Sequence, residues 1–411
     1  LQQRLATGVV GYTEALIWIG GVKMISDWTA RAREIDSFKV MDLLKRAAEL
    51  DAEGRDVVHM EAGEPDFPTA EPIMQAARRA MDAGHTRYTP AGGIMPLREA
   101  IADFYQRRYG VNISPRQVLV TAGASGALLL AFSLLAAPGS RFMLADPGYP
   151  CNRQFLRLLE ARGQLVPVGP ELNYQLNADL VEQHWADDTA GVLLASPSNP
   201  TGSVVPTDHL RAIADQVSQC GGSLIVDEIY HGLTYGFDAD TVLGVAPDAL
   251  VLNSFSKYFG MTGWRLGWLV APEEAVAEME KIAQNLFISP ATLSQYAALA
   301  AFEPATIEIL EQRRQAFALR RDRLVAGLRE LGFGIPRMPE GAFYVYADAS
   351  HLTDDSFAFC WSLLEEDHVA VTPGADFGHN RPERHIRFSY TTGLDRIELA
   401  LERLQQRISR A

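Results

Sequence analysis

Residues 249–265 read Ala249-Leu250-Val251-Leu252-Asn253-Ser254-Phe255-Ser256-Lys257-Tyr258-Phe259-Gly260-Met261-Thr262-Gly263-Trp264-Arg265. The run Ala249–Leu252 is short and apolar, as a buried strand is, and polar residues begin where that strand ends. In an open α/β sheet the carboxyl ends of the strands form the ligand crevice. A lone lysine is usually a solvated surface residue. A lysine bracketed by Ser254, Ser256 and Arg265 has a second reading: an amine that attaches covalently to a carbonyl group, beside hydroxyls and a guanidinium suited to a phosphate.

The same texture extends outward. Val118–Thr121, Phe142–Ala145, Val192–Ala195, Leu224–Val226, Leu250–Leu252 and Leu266–Val270 are nearly continuous apolar runs separated by longer amphipathic stretches. Strands of that kind belong to a mostly parallel sheet covered on both faces, a doubly wound α/β architecture. All but the last run into a polar or glycine-bearing turn, so several strands deliver chemistry to one edge. After Pro304 the texture changes. Residues 306–331 form a long charged helix closed by Gly332, and Ala342–Ala347, Val369–Val371 and Ile386–Ser389 read as strands of a smaller α+β unit. The expected division is a large unit at 61–304 and a small one at 305–411, completed by 24–60. A helix is read over Met41–Leu50 and a strand over Val57–Met60. Residues 1–23 read as an extension ahead of a start at Met24, since Gly8–Val22 is interrupted by Glu14 and is too short and polar to span a bilayer.

Composition narrows the classes. A chain of 411 residues suits two domains, and 47% hydrophobic residues suffice for buried sheets. A formal charge of −14 argues against a nucleic-acid partner, which needs a basic face. Cys151, Cys220 and Cys360 lack the spacing of a disulfide framework or zinc ribbon and fit a reducing, cytoplasmic setting. The nine histidines form no metal-binding motif.

Individual residues then take on roles. Asp227 closes the strand at Leu224–Val226; alone it would be a turn or capping residue, but a carboxylate at a sheet edge can also keep a pyridine nitrogen protonated. Tyr230, three residues on, and Asn199 in Asn199-Pro200-Thr201-Gly202 could both meet a phenolic oxygen on such a ring. Gly123-Ala124-Ser125-Gly126, between a strand and the helical run 127–135, is either tight packing or a phosphate cup of backbone N–H groups. Tyr149 could stack on a flat ring. Arg387 sits in an apolar strand and wants a carboxylate, from the protein or from a substrate.

Taken in order, Gly63-Glu64-Pro65-Asp66-Phe67, Tyr88-Thr89-Pro90-Ala91-Gly92, Asn199-Pro200-Thr201-Gly202, Asp227-Glu228-Ile229-Tyr230, Ser254-Phe255-Ser256-Lys257, Gly263-Trp264-Arg265-Leu266-Gly267 and Gly341-Ala342-Phe343-Tyr344 resemble the class I/II aminotransferases. These are fold-type I pyridoxal-phosphate enzymes of the aspartate aminotransferase superfamily, and the resemblance spans about residues 30–408. It implies that Lys257 carries pyridoxal 5′-phosphate and shuttles the substrate proton. It implies Asp227 at the pyridine nitrogen, Tyr230 and Asn199 at the phenolic oxygen, and Tyr149 on the ring in place of a tryptophan. It implies Ala124, Ser125, Ser254 and Arg265 at the phosphate, and Arg387, with the backbone of Gly63, at the substrate α-carboxylate. Tyr88 resembles a tyrosine that reaches the phosphate of a neighbouring subunit, which implies a homodimer with shared sites. The implied reaction moves an α-amino group from an amino acid to a 2-oxo acid such as 2-oxoglutarate or pyruvate, by ping-pong kinetics.

The chain departs from the dicarboxylate-specific members. Asn285-Leu286-Phe287-Ile288-Ser289-Pro290 holds no arginine for a distal carboxylate, and Ser125 stands where one subgroup has a lysine. An unpaired buried carboxylate is costly, so the expected donors are neutral or aromatic, with Phe38, Leu286, Phe287 and Ile288 as pocket residues. Two alternatives stay open: a carbon–sulfur β-lyase of the same fold, and an aspartate aminotransferase with atypical distal recognition.

Overall fold

The computed structural model describes residues 29–410, so the expectations for 1–23 and for a start at Met24 lie outside the described residues. Twelve strands are described: β1 (Val58–His59), β2 (Val118–Thr121), β3 (Arg141–Asp146), β4 (Arg162–Pro167), β5 (Thr189–Ala195), β6 (Ser223–Asp227), β7 (Leu250–Ser254), β8 (Gly267–Val270), β9 (Tyr344–Asp348), β10 (Val369–Ala370), β11 (Thr372–Pro373) and β12 (His385–Ser389). Seven form one sheet in the order β2-β8-β7-β6-β5-β3-β4. Within it β8 alone runs antiparallel to its neighbours. Six strands therefore present their carboxyl ends at one edge.

Side-chain alternation divides the core between the two faces of this sheet. Leu250 and Leu252 join Leu119, Phe132, Phe142, Ile225 and Met279 on one face, while Val251 joins Val120, Val192, Val226 and Trp268 on the other. Both sides are apolar because helices cover both: Gly123–Leu135 and Glu273–Leu286 pack on the first, and Met95–Tyr109 and Thr207–Gln219 on the second.

Two further sheets lie toward the C-terminus. β11-β12-β9 is antiparallel, and β1 pairs in parallel with β10, which ties the segment before residue 60 to the last third of the chain. The long helix runs Pro304–Glu330 and is followed by Gly332 at φ 90°, a left-handed position that suits glycine. Among the described residues, no helix is long and apolar enough to cross a membrane and no cluster of His, Cys, Asp and Glu could hold a metal ion.

Three readings change. The strand β4 was not expected, because as an edge strand it alternates Arg162, Gln164 and exposed positions with only Val166 fully buried. The strand expected at 342–347 starts at Tyr344, since Ala342 takes φ 58° in the turn before it. The strand expected at 369–371 is two short pieces, β10 and β11, that join different sheets.

Close backbone approach fixes the edge of the large sheet. A Cβ on Gly267 would lie 2.7 Å from the Gly123 carbonyl carbon, 2.8 Å from the Asn253 oxygen and 2.9 Å from the Ala124 nitrogen. All three are backbone atoms, which cannot swing aside. Gly267→Ala is expected to cost about 1–3 kcal/mol through this overlap. Thermal unfolding reads it as a lower Tm, and an unchanged Tm would mean that the turn at 123–124 yields freely.

Candidate active site

The turns that leave the parallel strands converge on a cavity of about 570 Å³. Asp227 and Ser254 close β6 and β7, Asn199 follows β5, Tyr149 follows β3, and Ala124 and Ser125 open the helix after β2; all of them line the cavity. Lys257, Arg265, Tyr230, Gly63, Phe38 and Arg387 line it as well.

Lys257 is enclosed at the cavity floor. Its Nζ donates to the Gly63 carbonyl at 2.6 Å and lies 5.9 Å and 5.8 Å from the ring centroids of Tyr230 and Phe343. Burial among these groups lowers its pKa to about 8, because the charged ammonium loses water it cannot replace. Asp227 responds to the same enclosure in the opposite direction. Its Oδ1 accepts the Ile229 N–H at 3.0 Å, yet burial raises the carboxyl to about 6. The positive charge of Lys257 opposes this rise without cancelling it.

At the phosphate-like corner, Gly123 has φ 70°, and a Cβ there would meet Arg265 Nη2 at 2.7 Å. Glycine thus lets the guanidinium lie over the helix N-terminus. Arg265 itself holds φ 51° and donates through Nη1 to the Thr262 carbonyl at 3.1 Å. Buried Ser254 accepts the Ser256 N–H at 3.1 Å, and its hydroxyl lies 3.0 Å from Ser256 Oγ. The helix start has no side-chain cap, which leaves its first backbone N–H groups open toward this corner.

At the opposite end sits Arg387, 5% exposed in β12. Nη1 donates to Asn199 Oδ1 at 3.0 Å, and Nη2 donates to the Glu61 carbonyl at 2.6 Å and to Thr372 Oγ1 at 3.1 Å. The guanidinium stacks over Tyr344 and Phe377 at 4.3 Å and 4.9 Å, and its buried Nε has no hydrogen-bond partner among the described residues. Because Asn199 turns its oxygen to Arg387, its NH₂ group is left to donate elsewhere.

Two groups of named residues lie outside the cavity of the single chain. Tyr88 is 80% exposed and does not line the cavity. Leu286 and Ile288, expected as pocket residues with Phe287, are 53% and 55% exposed and lie outside it. The helix Glu273–Leu286 ends there, Phe287 packs on the core of the sheet, and Ile288 turns outward at φ 65°. Sequence reasoning also passed over Tyr344, whose hydroxyl is 2.9 Å from that of Tyr230, and over Glu61, Thr372 and Asp376, which line the cavity. Tyr344 stands in a quoted motif; Glu61, Thr372 and Asp376 carry no local signal.

Comparison with known proteins agrees with this arrangement. Residues 55–404 match the family model for aminotransferase class I and II. The valine–pyruvate aminotransferase of Mycobacterium tuberculosis is 40% identical over 382 residues, covering 92% of this chain and 98% of the relative. The aspartate/prephenate aminotransferase of Thermus thermophilus is 36% identical over 371 residues, covering 89% and 94%. A solved aminotransferase from M. tuberculosis superposes with a TM-score of 0.91 at 39% identity, covering 94% of this chain and 100% of that one. The chain belongs to the class I and II aminotransferases, fold-type I enzymes of the aspartate aminotransferase superfamily that work through pyridoxal phosphate.

Proposed function

We propose that this aminotransferase takes its amino group from neutral apolar or aromatic amino acids and passes it to a 2-oxo acid such as pyruvate or 2-oxoglutarate by a ping-pong cycle in one site. One observation carries the reading. Among the described residues the cations that line the cavity are Lys257, Arg265 and Arg387, and each has a task that leaves none for a second carboxylate. Phe38, Val40, Met41, Leu44 and Phe155 supply an apolar wall instead, and Glu61, Glu64 and Asp376 make the lining acidic.

The residues fit pyridoxal phosphate. The uncapped helix start at Gly123, with Ser254 and Arg265, suits a dianionic phosphate, contacted through the backbone at Ala124 and Ser125. The raised carboxyl of Asp227 gains most from a cationic ring nitrogen beside it, and holds the proton on that nitrogen. The NH₂ of Asn199 and the hydroxyl of Tyr230 would be donors for the ring's phenolic oxygen, and Tyr149 would lie against the ring. When bound, the cofactor supplies an electron sink that makes the substrate α-proton acidic.

The chain's own groups do the rest. Arg387 pairs with the substrate α-carboxylate and turns the Cα–H bond toward Lys257. Lys257 Nζ would be the group that holds the cofactor and, as a free neutral amine, would take the substrate α-proton and give it back, acting as base and then acid. Its lowered pKa matters at both points, since only the neutral amine attacks or accepts a proton. The rings of Tyr230 and Phe343 flank that amine at 5.9 Å and 5.8 Å. We also propose a homodimer in which exposed Tyr88 contributes to the phosphate corner of the neighbouring subunit; exposed Leu286 and Ile288 then lie at the contact.

Three measurements test the proposal. The neutral fraction of Lys257 grows as pH rises through about 8, so covalent capture of added pyridoxal phosphate by the apoprotein should follow a curve with that midpoint. Below it the rate falls about tenfold per pH unit. A midpoint near the 10.5 of a free lysine would contradict the buried-amine mechanism, and Lys257→Ala should lower turnover at least about 1,000-fold.

In steady-state assays across amino donors, kcat/KM should be higher for alanine, valine, leucine or phenylalanine than for aspartate. Incubation with donor alone should stop after one half-reaction. Continued release of pyruvate and ammonia would instead indicate a carbon–sulfur lyase.

Sedimentation should give a dimer, and Tyr88→Phe should weaken cofactor retention on dialysis. A fully active monomer would remove Tyr88 from the site.

A further inference from the structure

The helix Lys39–Ala52 begins without a cap of its own. The residue at its N-cap is Phe38, whose side chain makes no capping hydrogen bond, so its first backbone N–H groups need an acceptor from elsewhere. Asp376 supplies it from the far end of the chain. Its Oδ1 accepts Lys39 N–H at 2.8 Å and its Oδ2 accepts Val40 N–H at 2.8 Å, so both carboxylate oxygens are committed to one helix start. A carboxylate at a helix N-terminus also meets the positive end of the helix dipole.

The position of Asp376 gives this cap a consequence. It is 4% exposed and ends the turn Gly374–Asp376, which directly follows Thr372 and Pro373 of β11. Thr372 Oγ1 takes a hydrogen bond from Arg387 Nη2, and β11 pairs with β12 at Thr372–Arg387 and Pro373–Ile386. One short rigid stretch therefore carries both the partner of the carboxylate clamp and the cap of the helix that presents Phe38, Val40, Met41 and Leu44 to the cavity. Leu43, Ala47, Leu50 and the Arg46–Glu365 ion pair anchor the body of the helix, and Asp376 fixes the end that carries Phe38.

We propose that Asp376 is a positioning residue for donor side-chain length: by capping the Lys39–Ala52 helix it holds the Phe38 wall at a fixed distance from Arg387. The inference rests on the apolar-donor reading above. It acts on the side-chain end of the donor. Alanine, too short to reach the wall, gains little from it, whereas leucine and phenylalanine gain from every atom of contact. A methylene in or out of a hydrophobic pocket changes discrimination about 10–200-fold, so a wall that loosens should be read mainly by the long donors.

The experiment compares kcat/KM for leucine and for alanine in holoenzyme carrying Asp376→Ala, Asp376→Asn, Phe38→Ala or the Phe38→Ala/Asp376→Ala pair, with Tm recorded for each. The leucine-to-alanine ratio should fall about tenfold in Asp376→Ala. The fall should be smaller in Asp376→Asn, which keeps one acceptor. The double variant should fall no further than the larger single effect, because both changes act through one wall. Equal losses for both donors in Asp376→Ala, or additive losses in the pair, would overturn the inference, as would an unchanged ratio in protein of lowered Tm. The wild-type donor panel separates the two levels. If aspartate is preferred there, the apolar-donor reading fails first; if apolar donors are preferred but the variant ratio does not move, Asp376 alone is wrongly assigned.

Discussion

A guanidinium buried where three distant parts of the chain meet organises this active site. Arg387 leaves β12 and bonds to Asn199 after β5, to the Glu61 carbonyl after β1 and to Thr372 in β11. Burying a cation is costly, and its bonds to an amide, a carbonyl and a hydroxyl offset that cost without neutralising the charge. Nε has no hydrogen-bond partner among the described residues. The same bonds fix the Asn199 amide with its oxygen toward Arg387. In the proposed function, substrate recognition and cofactor recognition would be coupled through that one amide.

Burial does the second part of the work. Lys257 and Asp227 share one enclosure, and desolvation moves the amine down to about 8 and the carboxyl up to about 6. Each shift weakens the charged form of its group, and each is useful for a different reason. In the proposed function the amine would serve as nucleophile and base near neutral pH, while the carboxyl would pair with a cation placed beside it. Tyr344 connects the halves, bonding Tyr230 through its hydroxyl and lying under Arg387 with its ring.

Much of this was legible in the residues. The apolar runs ending in Ser254, Asp227 and the turn at Asn199 are strong local signals, because a strand buried on both faces admits few polar residues until it reaches the edge. The same rule explains what stayed hidden. β4 is an edge strand, half polar, and so resembles a loop. The direction of β8 leaves no trace in composition, since a buried strand is apolar whichever way it runs. Leu286 and Ile288 read as pocket residues because they are apolar, but a helix end turns them outward.

The order of residues alone determined the alternation of strand and helix, the polar residues gathered at one sheet edge, and Lys257, Asp227 and Arg387 as candidate groups, all three of which line one cavity. Those follow from local hydrophobic period and from residue types that only a few reactions require. Tertiary structure alone decided which groups touch: Asn199 with Arg387, 188 positions apart, and Lys39 with Asp376, 337 positions apart. Such contacts depend on how the sheets pack, and no short window of sequence contains both partners. Around Lys257, the sequence marked the candidate amine, and the fold placed it beside the Gly63 carbonyl and the rings of Tyr230 and Phe343.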